Sequence, residues 1–121
     1  MAEYLPIFKP GQAVTLKASA AITGGQVVAV SGPNTVAPAG AGSTAVVGVA
    51  GFDAATNDQA TIYSGGVQNC NASGAITAGS PVIAGAAGTV VASAAPPAGQ
   101  QVGVALTTAA DAAKVRIQFA R

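Results

Sequence analysis

Apolar residues in this chain fall into short runs with a spacing of two. Val115, Ile117 and Phe119 alternate with Arg116 and Gln118, and Val102, Val104 and Leu106 alternate in the same way. That period belongs to a strand with one face buried, so each trio is expected to line one side of a strand. Gly- and Pro-rich punctuation separates the runs every eight to twelve residues or so, roughly the spacing of an all-β barrel or sandwich. Predicted strands fall in "ITGGQVVAVSG", "NTVAP", "VVGVAGF" and "QATIYS", and again in "ITAGSPVIAGA", "GTVVA", "QVGVALT" and "KVRIQF". The stretch "TTAADAAK", Thr107 to Lys114, fits either one helical turn or an Asp-Ala loop.

These runs come in two matching sets. Ala18, Ser19, Ala21, Ile22, Thr23 and Gly25 return as Ala72, Ser73, Ala75, Ile76, Thr77 and Gly79. Val28 returns as Val82, and Thr35-Val36 as Thr89-Val90. After one inserted residue, "VGVA" at Val47 returns at Val102, and Ile62 returns as Ile117. Matching pieces in one order, with a single register change, mark an internal duplication with halves at about 13–66 and 67–121. Two repeats are too few for a solenoid. A half of about 55 residues with few large side chains buries little apolar area and is expected to need its twin. The sequence therefore predicts one pseudo-symmetric, barrel-like β domain over 13–121, preceded by an arm at 1–12.

Composition narrows the function. Half of the residues are hydrophobic, but alanine supplies about half of those, and no Trp is present. The core is expected to be thin, and contact with further copies or a partner would add much to it. Charged residues are 7% of the chain and the net charge is +1. Nucleic-acid binding, which relies on clustered Lys and Arg or on aromatic platforms, is not expected. The N-terminus lacks a secretory apolar region, and Gly and Pro interrupt every long apolar run, so neither export by a signal peptide nor a membrane span is expected.

Catalytic groups are scarce. With no His, a Ser, Thr or Cys nucleophile lacks its usual base. Lys9, Lys17 and Lys114 lie outside any Ser-x-x-Lys pattern and read as surface amines. Cys70 is the one cysteine and is expected as a small buried hydrophobe rather than a reactive thiol. Asp53 and Asp58 bracket "DAATND", and Asp111 lies in the matching loop of the second half. Their spacing fits no calcium loop, and turn-forming roles are expected. "GAGSTAVVG" lacks the lysine of a phosphate-binding loop, and the "NAS" at Asn71 matters only in a secreted chain. No metal, cofactor or enzymatic activity is expected.

The arm holds Tyr4 and Phe8, two of five aromatics, beside Leu5 and Ile7. Pro6 and Pro10 push Leu5 and Lys9 towards extended backbone. An extended apolar segment can add to a neighbour's sheet edge or fill a groove. It can also pair with its own domain as a first strand. The intermolecular role is favoured, since terminal arms fray unless something ties them down.

The phrases "FKPGQAVTLKASAAITGGQVVAVSG", "VVGVAGFDAA", "IYSGGVQNCNASGAITAGSPV" and "VGVALTTAADAAKVRIQF" resemble the capsid decoration, or head-stabilising, proteins of tailed bacteriophages, particularly those infecting actinobacteria. The resemblance runs over about residues 8 to 119. It implies a β-tulip-like or related barrel, made in the host bacterial cytoplasm, that sits as a homotrimer on the outer surface of the expanded head. There it would cement subunits of the major capsid protein, with no cofactor, nucleic acid or membrane involved. Terminal arms in such proteins contribute to attachment, which implies a capsid- or neighbour-binding role for Tyr4, Leu5, Pro6, Ile7, Phe8, Lys9 and Pro10. The alternative is a ligand- or glycan-binding β module of a phage fibre or surface protein, for which Phe52 and Tyr63 are the candidate lining residues.

Overall fold

A computed structural model describes Tyr4, Ile7, Phe8 and residues 11–120. The described chain is all-β. Its strands are β1 (Val14–Ala18), β2 (Val27–Gly32), β3 (Thr35–Pro38), β4 (Val46–Ala50) and β5 (Gln59–Tyr63), then β6 (Val67–Asn71), β7 (Pro81–Ala84), β8 (Val90–Ala92), β9 (Gln101–Ala105) and β10 (Lys114–Phe119). One 3₁₀ turn, Ala86–Gly88, interrupts the β7–β8 connection.

The duplication is topological as well as verbal. In the first half the order β1-β3-β2-β4-β5 closes into a barrel, with β5 returning to pair with β1. In the second half the order is β6-β10-β9-β7-β8. Replacing each strand by its twin gives the same cyclic order, with the seam between β6 and β8 crossed by one parallel bridge, Ala72 to Val90. Its counterpart is the parallel β1–β3 pair, in which Ala18 faces Val36. Registers match across the halves: Leu16 faces Ala60 as Cys70 faces Val115, and the Ile22–Ala54 bridge recurs as Ile76–Ala109. Barrel closure thus happens within a half rather than around both.

On β10 the expected alternation holds, with Val115, Ile117 and Phe119 all buried. On β9 it fails. Val102 is buried, but Val104 and Leu106 are exposed. The cause is a β-bulge. Pairing between β7 and β9 steps from Val82–Gly103 to Ile83–Gln101, so Val102 is an extra residue that reverses the sidedness of the strand beyond it. The first half has the same bulge at Val47, between Val28–Gly48 and Ala29–Val46. Thr107 to Lys114 forms a loop and turn carrying the Ile76–Ala109 bridge, not a helical turn.

Two core clusters result. Ile22, Val28, Val36, Ala50 and Ile62 pack inside the first barrel. The second cluster gathers Cys70, Ile76, Val82, Val90, Val102, Val115 and Ile117, and extends to Val27, Ala29, Ala39, Val46 and Val49 of the first half. On β2, Val28 points into its own barrel while its neighbours Val27 and Ala29 belong to the shared cluster. The expected thin core is thus present, since its largest fully buried side chains are isoleucines and valines. Among the described residues no helix is long and apolar enough to cross a membrane.

Candidate functional site

Among the described residues no group of three or more His, Cys, Asp or Glu could hold a metal ion, and no polar or charged residue is buried. Cys70 is fully buried against Val115 on the neighbouring strand. Burial pushes its thiol up to about 12, and the nearby Lys114 charge opposes this in part. A thiol held so firmly protonated is a packing group, as its lone occurrence suggested.

Asp53 and Asp111 were expected as local turn residues; instead each carboxylate ties its loop to another loop far off in sequence. The Asp53 carboxylate accepts the Gly24 N–H at 2.8 Å, and that of Asp111 accepts the Gly74 N–H at 2.7 Å. The structural twin of Asp53 is Thr108, whose hydroxyl accepts the Ala78 N–H at 3.1 Å, and Ala78 is the twin of Gly24. The two acidic loops correspond as expected, but a threonine stands in for the carboxylate at this shared position. The Gly-rich loop after β3 serves as a joint. Gly42 takes a positive φ of 70° and donates its N–H to Ala84 O of the other half at 2.9 Å.

What remains on offer is exposed apolar surface. Tyr4 and Ile7 of the arm are 87% and 89% exposed, and Phe8 is partly exposed. Phe8 borders two clefts. One, of about 700 Å³, is walled by Val14, Tyr63 and Gln68; the other by Leu16, Lys17, Asn34 and Gln59. Leu5, Pro6, Lys9 and Pro10 lie outside the described residues. Tyr63 and Phe52 are both exposed, but Tyr63 lays its ring against the backbone of Gly51, and the cleft it lines is shared with Phe8 rather than Phe52.

Sequence reasoning missed a second set of exposed side chains: Val30 at the end of β2, Val67 at the start of β6, and Val104 and Leu106 at the end of β9. The available signal was the glycine of "VGVA", present in both halves. At Gly48 and Gly103 a Cβ would overlap the carbonyl oxygens of Tyr63 and Gln118 on the adjacent strands. An obligatory glycine within a strand marks a bulge or a close backbone approach.

Residues 8–120 match a family model described as phage cement protein. The chain belongs to the phage cement protein family. This cement-family chain is also similar to a solved structure, the N base of the head fiber gp8.5 of bacteriophage phi29, with a TM-score of 0.69 and 20% identity. The alignment covers 90% of this chain and 93% of that one, so the two share a fold over nearly their whole lengths. No curated protein matches in sequence. The resemblance to phage capsid decoration proteins drawn from the sequence is borne out at the level of the family. Cement proteins are structural phage proteins.

Proposed function

We propose that the chain is a virion decoration protein that binds the outer surface of an expanded phage capsid as a homotrimer and stabilises it, with the major capsid protein as its partner. The observation that carries the reading is the exposed apolar arm, Tyr4, Ile7 and Phe8, set beside a closed barrel and its twin sheet, whose carboxylates at Asp53 and Asp111 are engaged by the N–H groups of other loops. Such an arm gains by burying its side chains against a neighbour or the capsid. Several copies held together multiply weak individual contacts through effective concentration. Binding only the assembled, expanded lattice then stabilises that lattice by mass action.

Co-sedimentation with purified heads and procapsids tests this. The chain is expected to pellet with expanded heads and to remain largely in the supernatant with procapsids. Equal binding to both removes the preference for the expanded state, and absence of binding to either removes the proposal. The ligand-binding alternative draws no support from the cleft beside the arm, which Tyr63 lines with Phe8 and not with Phe52.

A further inference from the structure

We propose that copies of this chain associate head to tail, the β2–β3 turn of one copy docking on the outer face of β7 and β9 of the next. This extends the reading of the chain as an oligomeric decoration protein, and it repeats between copies a contact already made inside each chain.

Within the chain, the outer face of β2 and β4 is covered. Val27, Ala29, Val46 and Val49 are all buried there, in the cluster shared with the second half. The β7–β8 connection, Ala84 to Gly88, reaches onto this face. Gly88 N–H donates to Ala39 O at 2.9 Å, and the Gln26 side-chain amide donates to Ala87 O at 3.1 Å. The approach is tight enough that a Cβ on Gly88 would lie 2.8 Å from the Gln26 Cβ.

The twin of that face lies open. Val27, Ala29, Val46 and Val49 correspond to Pro81, Ile83, Gln101 and Val104, none of which is buried. Val104 is 37% exposed where Val49 is 4%. Leu106 extends the apolar strip at 44%. The backbone beneath is the same: Ala39 N–H donates to Val27 O, and Ser93 N–H donates to Pro81 O, each at 2.9 Å.

The docking element also has an open twin. Ala84 to Gly88 corresponds to Val30 to Asn34 at the β2–β3 turn. The tips of the two connections are Ala86–Gly88 and Gly32–Asn34, while Ala84 and Val30 pair with Val90 and Val36 and so share the inward face of their own halves. Asn34 adopts a left-handed φ of 50°, as Gly88 does at 76°, although Ala87 is also left-handed at 54° where its counterpart is Pro33, whose ring holds φ negative. The size exchange fits. The inner contact pairs Gly88 with Gln26, and the contact between copies pairs Asn34 with Ser80, the twin of Gln26. A larger residue on the turn meets a smaller one on the face. The inserted residue of the second half places Pro96 and Pro97 around the counterpart of Gly42, removing one N–H donor, so the outer contact is the weaker of the two. Ile7 and Phe8 border Asn34 and Gln59, which sets the arm beside the docking turn and next to the incoming copy.

Such a contact is heterologous. It generates a ring when its rotation closes, and three copies would then set six five-stranded halves in one repeating order.

Sedimentation velocity with Pro33→Glu, at the tip of the β2–β3 turn, and Val104→Glu tests the arrangement. Both positions are exposed, so each variant should keep the wild-type circular dichroism and midpoint of unfolding. Wild type is expected as an oligomer and each variant as a monomer. Mixing the two variants should restore one contact and stop there, giving a species of two copies, because one partner keeps its turn and the other keeps its face. A monomeric wild type, oligomers that persist in either variant, or a mixture that stays monomeric overturns the head-to-tail contact. Head binding by wild type, measured separately, reports on the decoration reading: heads bound by a chain whose variants stay oligomeric would sink this contact and leave that reading standing.

Discussion

Gly48 and Gly103 hold the same place in the two halves, immediately after the bulged Val47 and Val102. Each runs so close to the next strand that a methyl group would collide with a backbone carbonyl, which cannot move aside as a side-chain tip can. Gly103→Ala is therefore expected to lower stability by about 1–3 kcal/mol, the usual range for forced overpacking. Gly40→Ala is the control, because open space surrounds that position and a change within about 0.5 kcal/mol is typical there. Urea titration of both variants checks the contrast. Cys70 gives a second prediction. In the unfolded chain a thiol ionises near its ordinary value of 9.0, while burial holds the folded thiol to about 12. Below 9.0 both states keep the proton and the thiol is neutral to stability. Between these values only the unfolded chain releases it, so this group's contribution to stability falls as pH rises from 9.0 towards 12. Iodoacetamide at pH 8 should leave native Cys70 unmodified and label it fully in denaturant. Rapid labelling of the native chain would contradict the burial.

At the scale of elements, the strands were legible because their side chains obey a period of two and their ends carry Gly, Pro and Asn. β10 reads correctly from Val115, Ile117 and Phe119 alone, since no residue is added to it against β6. β9 does not. "VGVAL" looks like the same alternation, but the extra residue at Val102 turns Val104 and Leu106 outward, and only pairing with β7 reveals it. The duplication was fully visible in residues, whereas closure within a half was not, because the return of β5 to β1 depends on contacts distant in sequence. The side-chain hydrogen bonds between loops lie in between. Asp53 reads as a local turn residue, yet it bonds a loop distant in sequence, and its twin Thr108 is found only when the repeat offset is applied. Asp53→Ala and Thr108→Ala are each expected to cost about 0.5–1.5 kcal/mol, the net worth of one hydrogen bond. Asp53→Asn, which keeps an acceptor oxygen, should cost less. Thermal melts of the three variants measure the difference.

For the whole molecule, a composition of Ala, Val and Gly gives barrels held by many small contacts, with apolar side chains left over at the arm, the β2–β3 turn and the β7/β9 face. The family was legible in ordered phrases running from about residue 8 to 119, which the matching family model covers at 8–120. At the arm, Ile7 and Phe8 lie beside Asn34 and Gln59, neighbours that no local pattern announces and that only the fold brings together. Deleting residues 1–10 is expected to weaken binding to expanded heads while preserving a β-type circular dichroism spectrum. Unfolding of the truncated chain would instead make the arm part of the core.

The claim at the centre is that this chain adds stability to an expanded capsid by occupying its outside. Heating bare expanded heads and heads saturated with the chain, while following release of the packaged DNA with an intercalating dye, reads that stability directly. Decorated heads should open at a higher temperature than bare ones, with the difference vanishing once the chain is removed. Heads that carry the bound chain yet open at the same temperature as bare heads would contradict it.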